Sequence, residues 1–496
     1  MKDIYPPTLL CDFYKLCHRV QLPDGTEEVC SVWTPRASLM PGVDHVVAFG
    51  FQAFVQHYLV DYFEENFFAR PLDEVLHEYS RIVRNCLGVA DPDVSHLAAL
   101  HSLGYLPLEI KALPEGSLAP LRVPMLTVRN TLPEYFWLTN YIETIFSSET
   151  WMPTTSATIA HEYRKLLDHW ADVTGAVKSD VAFQGHDFSF RGMPGVNAAA
   201  ASGAGHLLSF TGTDTPPAVV HLEHYYDCSS DDEVIGMSIP ATEHAVMSAY
   251  GPEKECETFL RLLTETYPSG FVSVVSDTWD LWRVIGEYLP RLRAVIMGRD
   301  GRLVIRPDSG DPVKILVGDP DSDNPLARKG VIECLADIFG YTVNEKGYKV
   351  LDPHIGAIYG DSITLDRAAQ ILSGLAAKGF VSTSIVLGIG SFTYQYNTRD
   401  TFGHAMKSTN VIIYGDEKAI FKDPATDLNH LKRSPRGRIA VVWSEGDLVL
   451  VDHLTIDDVT DGDLLQTILV DGQIRNRQTL GEIRGRLASA SLAPAA

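Results

Sequence analysis

The segment Ile305-Arg-Pro-Asp-Ser-Gly310 sets an arginine directly after an apolar run and a carboxylate two residues later. Arginine offers a fixed fork of donors to phosphate oxygens, and aspartate offers acceptors to sugar hydroxyls. Four more apolar runs end with similar chemistry: His186-Asp-Phe-Ser-Phe-Arg-Gly192, Ser209-Phe-Thr-Gly-Thr-Asp214, Val272-Ser-Val-Val-Ser-Asp277 and Ala357-Ile-Tyr-Gly-Asp361. Such endings suit an anionic sugar phosphate. Taken singly, Pro-Asp-Ser-Gly and Gly-Asp are also ordinary turn sequences. Phe188 alone suits a core, and His244 in Pro240-Ala-Thr-Glu-His-Ala245 suits a helix start. Gly388-Ile-Gly-Ser391 follows Ile385-Val-Leu387, and its small residues let backbone N–H groups approach a phosphate. Arg399 and Lys407 come shortly after and add positive charge. No Ser/His/Asp, HExxH or Walker A motif is present, and no lysine stands at these endings for a Schiff base.

These residues need elements to hold them together. A buried parallel strand reads as an apolar run, and α/β folds bind ligands where the carboxyl ends of such strands emerge. Apolar spacing predicts helices over 158–170, 279–289 and 364–378, the last closed by Gly379. Strand, polar exit and helix repeated across roughly 180–390 imply an α/β domain with a parallel sheet or barrel. The flanks differ. Residues 1–145 mix short strands (Glu28–Trp33, Val123–Val128) with helices, and residues 400–475 are strand-rich. The two flanks are expected to form one discontinuous α+β domain. The expected divisions are 1–148, 149–394 and 395–487, with 488–496 a disordered tail.

Composition narrows the partners. At 496 residues the chain is long enough for two or three domains, and 45% apolar with 21% charged residues is ordinary for a globular protein. The net charge of −23 argues against nucleic acid, which needs a basic surface. It also requires any anionic substrate to meet local Arg, Lys or Mg²⁺. No run approaches the ~18 apolar residues of a membrane span. The start lacks a signal-peptide apolar core, and seven scattered cysteines show no CxxC spacing, so a reducing cytoplasm is expected.

Taken in order, these motifs resemble the nicotinate/nicotinamide phosphoribosyltransferase family. The likeness runs from Asp12-Phe-Tyr-Lys15 to about Arg438. It includes Leu108-Glu-Ile-Lys-Ala-Leu-Pro-Glu-Gly116, Trp137-Leu-Thr-Asn-Tyr-Ile-Glu-Thr144, the five strand exits and Phe421-Lys-Asp-Pro424. The resemblance implies a type II phosphoribosyltransferase fold: a barrel-like parallel domain joined to an α+β domain from both termini. It implies transfer of a phosphoribosyl group from 5-phosphoribosyl 1-pyrophosphate to nicotinamide, giving nicotinamide mononucleotide and pyrophosphate. Nicotinate as acceptor, and a non-catalytic binding or signalling protein on the same scaffold, are the alternatives. It further implies Mg²⁺, ATP coupled through a phosphohistidine, and a head-to-tail homodimer with its sites at the subunit interface.

Residue by residue, the resemblance puts Phe188 and the partner subunit's Tyr14 on either side of the pyridine ring. Asp214 would accept from the carboxamide NH₂. Arg191 and Arg306 would hold the pyrophosphate with Arg36, Lys407 and Lys422. Asp308, Gly360 and Asp361 would hold the ribose, and Gly390, Ser391 and Arg399 the 5′-phosphate. His244 matches the phosphorylated histidine, with Asp277 in the outer shell of the site. Mg²⁺ would be bound mainly through the substrate pyrophosphate. The chain departs from the family pattern at Ser391 and Phe392, where glycines are usual, at Ala405 in place of a serine, and at His430 in place of a lysine.

Overall fold

The computed structural model describes residues 5–360, 362–424, 426, 433–458 and 460–491. The chain divides into two compact units. One comprises Met1–Thr158, His221–Cys228 and Asn397–Ala496, and the other Ile159–Val220 and Ser229–Tyr396.

The second unit is built on six parallel strands. Their spatial order is Gly212–Thr213, Gly185–Phe188, Val386–Gly390, Ile355–Tyr359, Asp300–Arg306 and Ser269–Val275. Val272, Val274, Leu303, Ile305, Ile355, Ala357, Leu387 and Ile389 are all buried, as expected when helices cover a parallel sheet. Burial of each large apolar side chain stabilises by roughly 1.5–3 kcal/mol. Residues 237–241 join the two edges. Met237 bridges in parallel to Gly212, and Ala241 to Ser273. The Thr213 N–H donates to Met237 O at 3.0 Å, and the Ser273 N–H donates to Pro240 O at 2.9 Å. This bridging makes the parallel sheet barrel-like and brings the exits of its edge strands toward a shared rim.

Local signals fix the covering helices. Thr364 caps Leu365–Ala377 by accepting from the Arg367 N–H, and that helix buries Ala368, Ile371, Leu372 and Leu375. Gly379 follows it at φ 77°, a conformation glycine adopts without strain. Asp280 accepts from the N–H groups of Trp282 and Arg283 and so starts the helical run at Leu281.

The first unit carries a seven-stranded antiparallel sheet. Its order is Asp416–Ala419, Ala405–Ile413, Thr26–Thr34, Leu126–Asn130, Leu108–Ala112, Gln466–Val470 and Gln473–Ile474. The inner strand Thr26–Thr34 pairs antiparallel with both Ala405–Ile413 and Leu126–Asn130, so the two ends of the chain share one sheet. Trp33, Phe51, Phe146 and Leu126 lie in its core.

Three boundaries differ from the expected ones. The breaks fall after Thr158 and Tyr396 rather than after 148 and 394, the first inside the long helix Glu143–Thr174. His221–Cys228, inside the expected catalytic stretch, belongs to the first unit. There Tyr226 stacks on Phe49 with ring centroids 5.3 Å apart, and its carbonyl accepts from the Leu480 N–H at 2.9 Å. Those partners are remote in sequence, so no local pattern announces them. Finally, the helix Leu480–Ser491 continues past the expected end at 487, anchored by buried Leu480, Ile483 and Leu487.

Candidate active site

The strand ends of the parallel unit converge on Arg306. It closes the strand Asp300–Arg306, and its guanidinium carbon lies 4.9 Å from the centroid of the Phe188 ring. That is cation–π range. Its Nη2 is 4.0 Å from Asp308 Oδ2, and Asp308 Oδ2 is 3.8 Å from His244 Nε2. Gly360, just beyond the strand Ile355–Tyr359, closes around the same pair. A Cβ on it would lie 2.3 Å from Asp308 Oδ1 and 2.9 Å from Arg306 Nε. Any side chain there would have to displace Asp308 and Arg306. Arg306 Nε and Asp308 Oδ1 are both buried without a hydrogen-bond partner in the described structure, a costly state that a bound polar ligand would relieve.

Asp277 sits behind this group. Its Oδ2 accepts from the N–H groups of Asp308 and Ser309, both at 2.8 Å, and from the Ser309 hydroxyl. One carboxylate thus holds the turn that presents Asp308. His244 begins the helix His244–Tyr250, immediately after the segment that bridges the two sheet edges. Its Nδ1 is 3.1 Å from Thr278 Oγ1, and about half of its side chain is exposed.

A second group surrounds Asp214. His186 Nε2 stands 2.9 Å from Asp214 Oδ1, and Ser238 donates its hydroxyl to the same oxygen. Burial pushes the Asp214 carboxyl up. The hydrogen bonds from His186 and Ser238, with the positive charge of Arg306, outweigh it and hold the carboxyl below its ordinary range. The His186 and Phe188 rings lie 4.5 Å apart on one face of their strand.

Beneath lies a buried, hydrogen-bonded polar network. Buried His206 donates from Nε2 to the Gly212 carbonyl at 3.0 Å, which leaves Nδ1 to accept from the Tyr394 hydroxyl at 2.6 Å. Burial pushes the His206 imidazole down to about 4, so it is neutral near pH 7. Buried Asp187 accepts from the Ser189 N–H and the Thr215 hydroxyl. Arg191 lies exposed in the turn Phe190–Gly192. A Cβ on Gly192 would stand 2.1 Å from Ser391 Oγ, so this turn packs directly on Ser391 beside Gly390.

The remaining expected residues belong to the antiparallel unit. Arg36 Nε donates to the Gly403 carbonyl at 2.8 Å. Lys407 is half-buried. Burial holds its ammonium below the ordinary range, Glu143 opposes this, and the charges of Arg36, Lys422 and Lys15 add to it. Lys15 itself pairs with Glu143. Arg399 Nη2 is 3.5 Å from Asp400 Oδ1, and Tyr14 is largely exposed. Ala405 opens the strand Ala405–Ile413. Asp361 and His430 lie outside the described residues.

The structure therefore gathers Phe188, Asp214, His244, Asp277, Arg306, Asp308 and Gly360 at the strand exits of one unit, and packs the Arg191 turn against Ser391. Four neighbours carried no role in the sequence reading: His186, Ser238, Ser309 and Lys15. His186 lay inside a noted motif, but its meaning depends on which strand stands beside it. Among the described residues, no cluster of three or more His, Cys, Asp or Glu side chains is arranged to hold a metal ion by itself. No helix among them is long and apolar enough to cross a membrane.

Residues 183–473 match the model of the nicotinate phosphoribosyltransferase (NAPRTase) family, more than half of the chain. The chain belongs to this family. Among its relatives is the nicotinamide phosphoribosyltransferase of Acinetobacter baylyi, 50% identical over 97% of both chains. Another bears the same name in Mycoplasma pneumoniae, 34% identical over 84% of this chain and 92% of its own. Two solved structures share the fold. Nicotinate-nucleotide pyrophosphorylase from Pyrococcus furiosus matches with a TM-score of 0.57 at 15% identity, covering 99% of this chain and 98% of its own. Human nicotinic acid phosphoribosyltransferase matches with a TM-score of 0.56 at 16% identity, covering 98% and 95%. The fold is the α/β type II phosphoribosyltransferase fold, and the chain is a phosphoribosyl-transferring enzyme of NAD salvage.

Proposed function

We propose that the chain transfers the phosphoribosyl group of 5-phosphoribosyl 1-pyrophosphate to nicotinamide, releasing nicotinamide mononucleotide and pyrophosphate. The observation that carries the choice of base is Asp214, an ionised carboxylate beside Phe188 with one oxygen free to accept. An amide NH₂ donates to such a group, whereas nicotinate's carboxylate meets a like charge.

The chemistry asks for positioning and charge more than for a base. The C1–pyrophosphate bond breaks, leaving positive character on the ribose and an added negative charge on the pyrophosphate. The pyridine nitrogen lone pair then bonds to C1, and no proton has to be removed. Arg306 and Arg191 hold the leaving group, and Asp308 holds the ribose hydroxyls and offsets its cationic character. Gly390, Ser391 and Arg399 hold the 5′-phosphate. Arg36, Lys407 and Lys422 add charge from the partner of a homodimer, and the partner subunit's Tyr14 covers the ring from the side opposite Phe188.

Mg²⁺ enters with the substrate pyrophosphate. Asp277 Oδ1 and Asp308 Oδ1, buried oxygens without a partner in the described structure, are ligands of the kind Mg²⁺ takes, and these two residues would hold it. When bound, the ion neutralises charge on the leaving group. ATP coupling is read through His244, whose imidazole is half-exposed beside Asp308 and Thr278. The γ-phosphoryl group passes to a ring nitrogen, ADP leaves, and later hydrolysis frees phosphate. A cytoplasmic setting fits the seven unpaired cysteines.

Incubation with nicotinamide and 5-phosphoribosyl 1-pyrophosphate should release pyrophosphate and nicotinamide mononucleotide in equal amounts. Release of neither would end this reading. His244→Ala should abolish stimulation by ATP while some basal transfer persists. Stimulation that survives the substitution would exclude His244 as the phosphorylated group.

A further inference from the structure

Asp214 is held from one side only. His186 and Ser238 both direct their donors at Oδ1, while Oδ2 has no hydrogen-bond partner among the described residues. Three separate pieces of chain produce this arrangement. His186 lies on the strand Gly185–Phe188, opposite Gly212 in the parallel register, so its ring falls beside the exit that carries Asp214. Ser238 comes from the bridging segment, directly after Met237, whose N–H and carbonyl are tied to Thr211 and Thr213. The backbone of Asp214 is itself fixed, its N–H donating to Asp187 O at 2.9 Å.

We propose that His186 and Ser238 determine the preference for amide over acid by engaging Asp214 through Oδ1 alone, so that Oδ2 is the acceptor offered to the substrate's side group. The proposal rests on the reading of Asp214 given above and assigns two further residues to it. Its logic is the donor and acceptor inventory of a carboxyl group. Ionised aspartate only accepts, whereas protonated aspartate also donates and could pair with a carboxylate. Two donors aimed at Oδ1 favour the ionised form. They act in the direction that holds the partly exposed Asp214 carboxyl below its ordinary range. They also fix the rotation of the carboxylate plane, which an unrestrained aspartate would spread over a broad range. The charged partner fixes the imidazole tautomer, since Nε2 must carry the proton that reaches Oδ1.

The test is the ratio of kcat/KM for nicotinamide to that for nicotinate, in the full-length enzyme. The KM for 5-phosphoribosyl 1-pyrophosphate is measured alongside it. His186→Phe removes the donor and keeps a ring. It should lower the ratio roughly 10- to 100-fold, the range for a hydrogen bond to a charged group. Ser238→Ala should lower it roughly 10-fold, the low end of the same range, since its hydroxyl also donates to the ionised carboxylate. The KM for the phosphoribosyl donor should stay within about 3-fold, which general disruption of the site would not permit. His186→Gln, whose amide can donate from nearly the position of Nε2, should restore most of the ratio. An unchanged ratio in both His186→Phe and Ser238→Ala overturns the proposal. If His186→Phe does not fold, Ser238→Ala decides alone. Asp214→Asn is the control that separates two failures. If it relaxes the ratio while the other two variants do not, Asp214 reads the amide without their help. If it too leaves the ratio unchanged, the amide reading of Asp214 falls, and the proposal with it.

Discussion

The two units place their charged groups by different means. In the parallel-sheet unit, Asp214, Asp277, Arg306, Asp308 and Gly360 stand at or just beyond the ends of four strands, Arg306 and Asp308 sharing one. In the antiparallel unit, Arg36 is held by the carbonyl of Gly403, and Lys407 gets its neighbours from pairing between Thr26–Thr34 and Ala405–Ile413. One arrangement repeats a local device, and the other exists only after the ends of the chain have met. At the strand exits of the first, Arg306 Nε, Asp308 Oδ1 and Asp277 Oδ1 are buried without a hydrogen-bond partner in the described structure. The second gathers like charges, and Lys407 is held below its ordinary range by burial first, with the charges of Arg36, Lys422 and Lys15 adding to it. On the proposed reading, the parallel unit supplies directional contacts to the sugar and the antiparallel unit supplies diffuse positive charge.

This contrast orders the expected effects of substitution. Arg306→Ala should be the most damaging, because it removes a directional contact from the middle of the strand exits. A loss of at least ~1.5–3 kcal/mol in transition-state stabilisation is expected, read as a fall in kcat/KM of about 10- to 150-fold. Near-normal turnover would place the pyrophosphate elsewhere. Lys407→Ala should cost less, about 3- to 10-fold, and mainly as a raised KM for 5-phosphoribosyl 1-pyrophosphate, since Arg36, Lys422 and Lys15 still supply charge. A larger effect from Lys407 than from Arg306 would invert the comparison.

A separate expected effect, on folding rather than on turnover, is on stability in acid. Burial, the leading cause in each case, pushes His96 and His221 of the antiparallel unit down to about 4 and His404 to about 3. In the parallel unit it pushes His206 down to about 4. An unfolded histidine titrates near 6.5, so between about pH 6.5 and 4 the unfolded chain binds more protons than the folded one. Stability therefore falls as pH falls through that window. With three such groups against one, the antiparallel unit should open first. Hydrogen exchange, corrected for the intrinsic rate of each amide at each pH, should accelerate more between pH 7 and pH 4.5 in Thr26–Thr34 than in Asp300–Arg306. Equal acceleration in both strands would contradict this.

The same contrast explains what could be read from the sequence. Arg306, Asp308 and Asp214 were legible because an apolar run followed by a polar exit is a local pattern with a direct structural meaning. The discontinuous antiparallel unit was legible only as composition, since nothing local says that Thr26–Thr34 pairs with Ala405–Ile413. Ser238 escaped notice because the bridging segment Met237–Ala241 is short and interrupted by Pro240, so it does not read as a strand. His186 was visible as a residue, but its role depends on lying opposite Gly212, a register fixed by tertiary structure. His221–Cys228 was assigned by its position in the chain, whereas Tyr226 follows its contacts with Phe49 and Leu480.

Asp214, the ionised acceptor beside Phe188, carries the central claim. The most direct test is a steady-state competition, with nicotinamide and nicotinate supplied together at equal concentration and both mononucleotide products quantified. The account predicts that nicotinamide mononucleotide predominates by at least tenfold, the size of effect expected when an ionised carboxylate meets a like charge instead of a donor. Equal amounts of the two products, or an excess of the nicotinate product, would contradict it.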